Sequence, residues 1–240
     1  MLAIETKDLT KRYKDKTAVN GINLKINQGE LFALLGTNGA GKTTTIKMLS
    51  TLIIPTDGQI KINGSDIEKD RQKIKKILNV SPQETAIAPN LSVKENLEFM
   101  AGVYQIRNKK EKTDELIKSF NLDQVLNQKA KTLSGGWQRK VSIAISLINE
   151  PEILFLDEPT LGLDVIARKE LWSVIEKLKG KVTIILTTHY MEEAEHLSDR
   201  IGIMAKGNLI ATGTSRELIE KTGAENFEDA FVKIATGGEL

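Results

Sequence analysis

The stretch "LFALLGTNGAGKTTTIKML", residues 31–49, decides how the rest of the chain is read. Its first five residues are a short, continuous apolar run ended by glycine, the pattern of a strand buried on both faces. Gly36, Thr37, Asn38, Gly39, Ala40, Gly41, Lys42 and Thr43 follow in the spacing G-x-x-x-x-G-K-[ST]. A helix is expected over 43–52. Strand, glycine-rich turn and helix in that order make a phosphate-binding loop. Gly36, Gly39 and Gly41 let the backbone curl close to an anion, because no Cβ intervenes. Backbone N–H groups and the helix N-terminus then face the phosphates. Lys42 supplies charge for the β- and γ-phosphates, and the Thr43 hydroxyl is placed to ligate Mg²⁺.

Outward from this loop, "EILFLDEP" (152–159) is a second buried strand. It delivers Asp157 and Glu158 to its C-terminal end, where ligands gather in an open α/β sheet. Asp157 suits the Mg²⁺ hydration shell, and Glu158 suits polarising a water for attack on the γ-phosphate. The competing reading is an acidic N-cap for the next helix. "VTIILTT" (182–188) and "RIGIMA" (200–205) read as a third and a fourth strand. His189 ends the third. A histidine there is more commonly a hydrogen-bonded rim residue than a catalytic one, yet it would share a rim with Gly36 and Asp157. His196 reads as solvated helix surface.

Strands alternating with helices such as "KELWSVIEKLK" (169–179) imply an α/β fold around a mostly parallel sheet. Residues 3–30 look like short strands with turns at Asn20-Gly21 and Gln28-Gly29, and "GQIKING" (58–64) alternates like an edge hairpin strand. Together these suggest an N-terminal antiparallel β subdomain. From about 90 to 150 helical periodicity dominates, opened by the capping-box pattern Ser92-x-x-Glu95. This part reads as a helical subdomain inserted between sheet strands. Residues 1–215 are expected to form one domain, and 216–240 a short helical extension containing the amphipathic "FEDAFVKIA".

Bulk properties narrow the class. Of 240 residues, 40% are hydrophobic and 28% charged, as in a soluble globular protein. No apolar run approaches the ~18 residues of a membrane helix, and the N-terminus has no apolar leader. The absence of cysteine excludes disulfides and thiolate metal sites and suits a cytosolic protein. A net charge of +2 is a poor footprint for nucleic-acid binding. The clusters "KDRQKIKK" (69–76) and "RNKKEK" (107–112) are interrupted by acids and read as solvated helix faces.

A second glycine-rich loop remains, in "TLSGGWQRKVSIA" (132–144). Ser134, Gly135 and Gly136 open a helix as a phosphate loop does, but without a lysine ahead or a strand behind. In order, the chain carries a phosphate loop, Gln83 in "VSPQE", "LSGG", "LFLDEP", "GLD" and a histidine after a strand. In that set the chain resembles the nucleotide-binding subunit of ATP-binding-cassette (ABC) transporters over residues 3–215. It looks most like the stand-alone ATPase subunits of drug, antibiotic or ion exporters.

The resemblance implies a P-loop ATPase core, ATP with Mg²⁺, and roles residue by residue. Tyr13 would stack on adenine, although spacing alone gives a core tyrosine. Thr44 would add a phosphate contact, Gln83 would meet Mg²⁺ or the attacking water, and His189 the γ-phosphate. Asp164 would lie on the segment that crosses a dimer interface. Ser134, Gly135 and Gly136 would face the γ-phosphate held by a second copy or a homologous cassette, arranged head-to-tail. Ser134 is expected to cap its helix, with the two glycines exposing donors at the positive dipole end. The implied partner is an integral membrane transporter subunit, reached from the cytoplasmic face of the cell membrane, with no nucleic acid. Trp137 departs from the glutamine commonest there, and is expected at the dimer seam or against the helical subdomain. Two rival readings are a soluble ABC ATPase acting on ribosomes or DNA and a non-hydrolysing regulatory cassette. A single cassette, no heptad array and a full set of polar site residues count against them.

Overall fold

The computed structural model describes residues 1–237. The chain begins with β1 (Leu2–Tyr13), β2 (Lys16–Ile22) and β3 (Lys25–Asn27), so the expected short strands start as one of twelve residues. Asn20-Gly21 is not a turn. It lies inside β2, where Leu9 pairs Ile22 but Lys11 pairs Val19, so one extra residue bulges from β2. Gly21 takes the positive φ of 61° that such a bulge favours. The turn proper is at Lys14-Asp15, which carries no glycine.

Next come β4 (Leu31–Leu35), α1 (Lys42–Leu49), β5 (Asp57–Ile62), β6 (Ser65–Asp66), α2 (Arg71–Ile77) and β7 (Leu78–Ser81). Strands β2, β1, β5 and β6 lie side by side in an antiparallel sheet, with β3 also on β1. The expected edge strand β5 pairs along β1 on one side and with only the two-residue β6 on the other. The helices α3 (Val93–Val103), α4 (Lys109–Ser119) and α5 (Gly135–Ser146) then occur before the chain returns to strand. At the start of α3, Ser92 accepts from Glu95 N while the Glu95 carboxylate accepts from Ser92 N, the reciprocal capping box.

The chain continues through β8 (Ile153–Asp157), α6 (Val165–Glu176), β9 (Thr183–Thr188), α7 (Met191–Leu197), β10 (Arg200–Ala205) and β11 (Asn208–Gly213). Helix α6 starts four residues ahead of the expected 169, because Asp164 accepts hydrogen bonds from Ile166 and Ala167 N–H at 2.9 Å. Val165 and Ile166 in that first turn are exposed and hide it from apolar periodicity. The large sheet runs β11-β10-β4-β9-β8-β7, parallel apart from the β10–β11 hairpin. Two of its strands escape the sequence pattern. β7 is only four residues long and follows α2 with no turn residue between them, and β11 is half exposed.

Every residue of β4, β8 and β9 is buried, which is why they read as unbroken apolar runs. Their registers align the ends that matter: Leu35 pairs Thr188, and Thr187 pairs Asp157. Ser81 of β7 pairs Leu156. Residues that follow these strands therefore emerge along one rim. Beyond the sheet, α8 (Ser215–Thr222) and α9 (Phe227–Thr236) pack on each other, and α9 buries Phe227, Ala230 and Ile234 against the β10–β11 side. Residues 238–240 of the expected extension lie outside the described residues. Among the described residues no helix is long and apolar enough to cross a membrane.

Candidate functional site

The loop between β4 and α1 is constrained by its surroundings. A Cβ on Gly36 would sit 2.4 Å from the Met204 carbonyl oxygen. A Cβ on Gly41, which has φ 105°, would sit 2.5 Å from that of Ala18. Both contacts are to backbone and cannot yield, so the sequence spacing is enforced by β10 on one side and β2 on the other. Gly39 meets no such wall, and Asn38, Gly39, Ala40, Gly41, Lys42, Thr43 and Thr44 line a cavity of about 460 Å³. Lys16, Ala18, Gln83, Glu158, Leu161 and His189 complete it.

The chemistry is concentrated at the floor. Lys42 Nζ donates to the Gly36 carbonyl at 2.7 Å and lies 3.3 Å from Glu158 Oε1. The second oxygen of that carboxylate, Oε2, is 2.7 Å from His189 Nδ1. Glu158 thus holds the phosphate-loop lysine with one oxygen and the strand-end histidine with the other. Its backbone is left-handed, with φ 50°, and its N–H donates to the carbonyl and hydroxyl of Thr187. A non-glycine residue in that region is strained by about 1–3 kcal/mol. The strain turns the Glu158 side chain away from the line of Asp157.

Asp157 faces the other way. Its Oδ1 accepts from Thr187 Oγ1 at 2.5 Å and from Thr43 Oγ1 at 3.1 Å. Asp157 is itself buried and meets the cavity through Thr43 rather than lining it. This set of hydroxyl, carboxylate and Gln83 amide oxygens is hard and all-oxygen, and it fits Mg²⁺, which prefers one or two carboxylates plus phosphate oxygens. Among the described residues no group of three or more His, Asp or Glu side chains forms a larger metal cluster. Neither acid caps the following helix, since that position belongs to Asp164.

Other expected residues stand apart from the cavity. Gly36 and Thr37 lie beneath it, contributing carbonyls to Lys42. Tyr13 is 46% exposed, not a core residue, and pairs across the β1–β2 turn with the cavity residue Lys16. Ser134, Gly135, Gly136 and Asp164 do not line the cavity. Ser134 occupies the N-cap position of α5, but its side chain accepts no capping hydrogen bond, contrary to expectation. The approach to that helix is held instead by Gln138 Nε2, which donates to the carbonyls of Ala130 and Leu133. Gly135 and Gly136 pack beside Leu163 and Ala167, so the second loop and the segment bearing Asp164 are neighbours in one chain. Trp137 is half-buried against the helical core, with Lys140 Nζ 4.5 Å from its ring centroid. Lys140 in turn pairs with Glu170 of α6 at 2.6 Å. His196 is more than solvated surface, since its ring stacks on Trp172 at 4.8 Å.

Sequence reasoning missed two buried ionisable side chains. Glu193 of α7 is fully buried, and its Oε1 accepts from Trp172 Nε1 at 3.1 Å. Burial pushes its carboxyl above the usual carboxylate range, hydroxyls of Thr188 and Thr160 oppose the shift, and the charge of Glu158 adds to it. Arg139 of α5 is buried as well. Burial lowers its guanidinium from the ordinary value, while the carboxylates of Asp157 and Glu193 pull it back up. No local spacing signals either residue, because each is embedded by elements distant in sequence.

A parallel sheet with a glycine-rich loop, a buried lysine and paired acids on one rim defines a P-loop nucleotide triphosphatase. The ABC transporter family description matches residues 19–161. The chain is 39% identical over 239 residues to the probable multidrug ABC transporter ATP-binding protein YbhF of Escherichia coli, covering 96% of this chain and 41% of that protein. The chain therefore spans less than half of that relative's length. It is 38% identical over 241 residues to the daunorubicin resistance ATP-binding protein DrrA3 of Streptomyces coeruleorubidus, covering 99% of this chain and 75% of the relative. A solved dimeric ATP-binding cassette in a post-hydrolysis state, bound to ADP and Pi, superimposes with a TM-score of 0.79 at 27% identity, over 88% of this chain and 98% of its own. The chain belongs to the ABC transporter family.

Proposed function

We propose that the chain binds and hydrolyses ATP as a head-to-tail pair of cassettes and drives export through a separate membrane subunit. The observation that carries this reading is the meeting of Lys42, Glu158 and His189 in one cavity at the phosphate loop. Phosphate oxygens entering the loop compete with Gly36 O and Glu158 for the Lys42 ammonium. Drawing Lys42 onto phosphate frees one oxygen of Glu158 to accept a proton from the attacking water. The adjacent His189 then lies beside both the base and the γ-phosphate. Mg²⁺ held by Thr43, Asp157 and Gln83 would neutralise charge on the β- and γ-phosphate oxygens. Tyr13, exposed beside Lys16 at the cavity entrance, is offered as the adenine platform, and Thr44 as a further phosphate contact.

Ser134, Gly135 and Gly136 lie off this chain's own cavity, and the Ser134 hydroxyl is unused by its helix. That supports their assignment to the nucleotide of a second cassette, with Asp164 beside them on the same face. Residues 1–215 are the cassette, and the helices between 90 and 150, with Gln83, are the surface offered to the membrane subunit. The chain would then lie on the cytoplasmic face of the membrane. The names of YbhF and DrrA3, a probable multidrug and a daunorubicin resistance protein, support a drug or antibiotic as cargo.

Glu158→Gln tests the reading. The variant is expected to bind ATP, to lose about 10²-fold or more in hydrolysis, and to elute as a dimer with ATP in size-exclusion chromatography. Turnover at the wild-type rate would remove Glu158 as the base.

A further inference from the structure

Arg139 lies one turn into α5, beyond the loop Ser134–Gly136. Its side chain leaves that helix and reaches the segment after β7. There Nη1 donates to the Pro82 carbonyl at 2.7 Å and Nη2 to the Gln83 carbonyl at 2.6 Å. The residue is only 5% exposed. A buried cation ordinarily pairs with a carboxylate, and those of Asp157 and Glu193 are near enough to favour its charge. Yet both short bonds go to the main chain, to the carbonyls of two successive peptide units. The guanidinium fork fixes that backbone in place. Ser142 strengthens the same seam, its hydroxyl lying 3.1 Å from that of Ser81 at the end of β7.

Two of these ties matter for the loops. Gln138 holds the approach to Ser134, and Arg139 holds Gln83. The Gln83 side chain lines this chain's own nucleotide cavity, whereas Ser134–Gly136 do not. Arg139 does not line the cavity either, so it acts through other groups.

We propose that Arg139 is a positioning residue that couples the two loops, so that a nucleotide held by the second cassette against Ser134–Gly136 sets the placement of Gln83 in this chain's own site. This rests on the head-to-tail reading above. Loading of Ser134–Gly136 displaces the N-terminal turns of α5, and the carbonyls of Pro82 and Gln83 follow because the two bonds are short and shielded from water. Each site then responds to the occupancy of the other, and hydrolysis is cooperative in ATP.

The test compares the full-length wild type with Arg139→Met, Arg139→Lys, Gln83→Ala and the double variant Arg139→Met/Gln83→Ala. Hydrolysis is measured against ATP concentration, and nucleotide affinity on Glu158→Gln backgrounds. Arg139→Met is expected to bind nucleotide as a monomer within about twofold of wild type. Its kcat should fall about tenfold and its Hill coefficient should drop to 1. Arg139→Lys, with a single donor group, should lie between. In the Gln83→Ala background, adding Arg139→Met should lower kcat no further, which a merely structural role would not give. A wild type without cooperativity overturns the head-to-tail reading and this inference with it. A cooperative wild type matched by an equally cooperative Arg139→Met overturns this inference alone. If Arg139→Met fails to fold, Arg139→Lys decides, and an unchanged Hill coefficient in that variant overturns the coupling.

Discussion

The chain carries two glycine-rich loops that each open a helix, and they are built on opposite terms. The first, at Gly36–Thr43, is walled by backbone from β2 and β10, so that Gly36 and Gly41 have no room for a Cβ. Its lysine is buried and already engaged by Gly36 and Glu158. The second, at Ser134–Gly136, is largely exposed, and a Cβ on Gly135 would meet only Leu163 at 3.8 Å. Neither Gly135 nor Gly136 takes a positive φ, and Ser134 does not cap. The first loop is enclosed by its own chain. At the second loop a Cβ on Gly136 would press on Ala167 Cβ at 3.1 Å, but Gly135 is kept although its own fold does not demand it, which is the expected state of half a site completed from outside.

One added methyl group should affect the two loops very differently. Gly41→Ala forces a Cβ to within 2.5 Å of the Ala18 carbonyl at φ 105°, so the loop must deform. Nucleotide binding by the monomer is expected to be lost, by fluorescent-nucleotide titration, together with a destabilisation of at least ~1 kcal/mol. Gly135→Ala meets ordinary contacts, should leave stability within about 0.5 kcal/mol, and should retain monomer binding while ATP-dependent dimerisation fails. Equal loss of monomer binding in both variants would erase the distinction between the loops.

A smaller change sharpens it. Ser134→Ala would ordinarily remove a helix cap worth about 1 kcal/mol. Since the Ser134 side chain accepts no cap hydrogen bond, thermal or urea unfolding should shift by less than about 0.5 kcal/mol. The loss should fall on dimer formation instead. A full cap-sized destabilisation would return Ser134 to an ordinary structural role.

The same contrast explains what the sequence made legible. The first loop announces itself because packing forces its glycines and buried strands feed it, so residue type and spacing carry the geometry. Asp157, Glu158 and His189 were legible because each directly follows or ends an apolar run. β7 was not, since four residues with two half-buried members give no period to detect. Asn20-Gly21 misled because the dipeptide that favours a hairpin turn equally favours a bulge, and only pairing with Leu9 and Lys11 decides which. Arg139 and Glu193 were invisible for a different reason. A charge in a helix reads as surface until distant elements are known to cover it.

Those two buried ionisable side chains back the two loops, and the smallest expected effect concerns the acid. Arg139 stands behind the second loop with two bonded carbonyls. Glu193 stands behind the hydrolytic end, where its Oε2 and the Thr160 hydroxyl are buried without a hydrogen-bond partner of good geometry. Burial raises the Glu193 carboxyl, so the folded state holds a proton that the unfolded chain releases at the ordinary carboxylate value. Its contribution therefore favours the fold on the acid side. It is lost as pH rises from that ordinary value through the raised one. Glu193→Gln keeps the shape and a partner for Trp172 but removes the titration. Above the ordinary carboxylate range the variant is expected to melt at a higher temperature than wild type, and the gap should widen with pH across that window. A gap that is constant or narrows with rising pH would mean that Glu193 is held as a satisfied carboxylate. The hydrolytic end would then be backed by a stable charge, as the second loop is by Arg139.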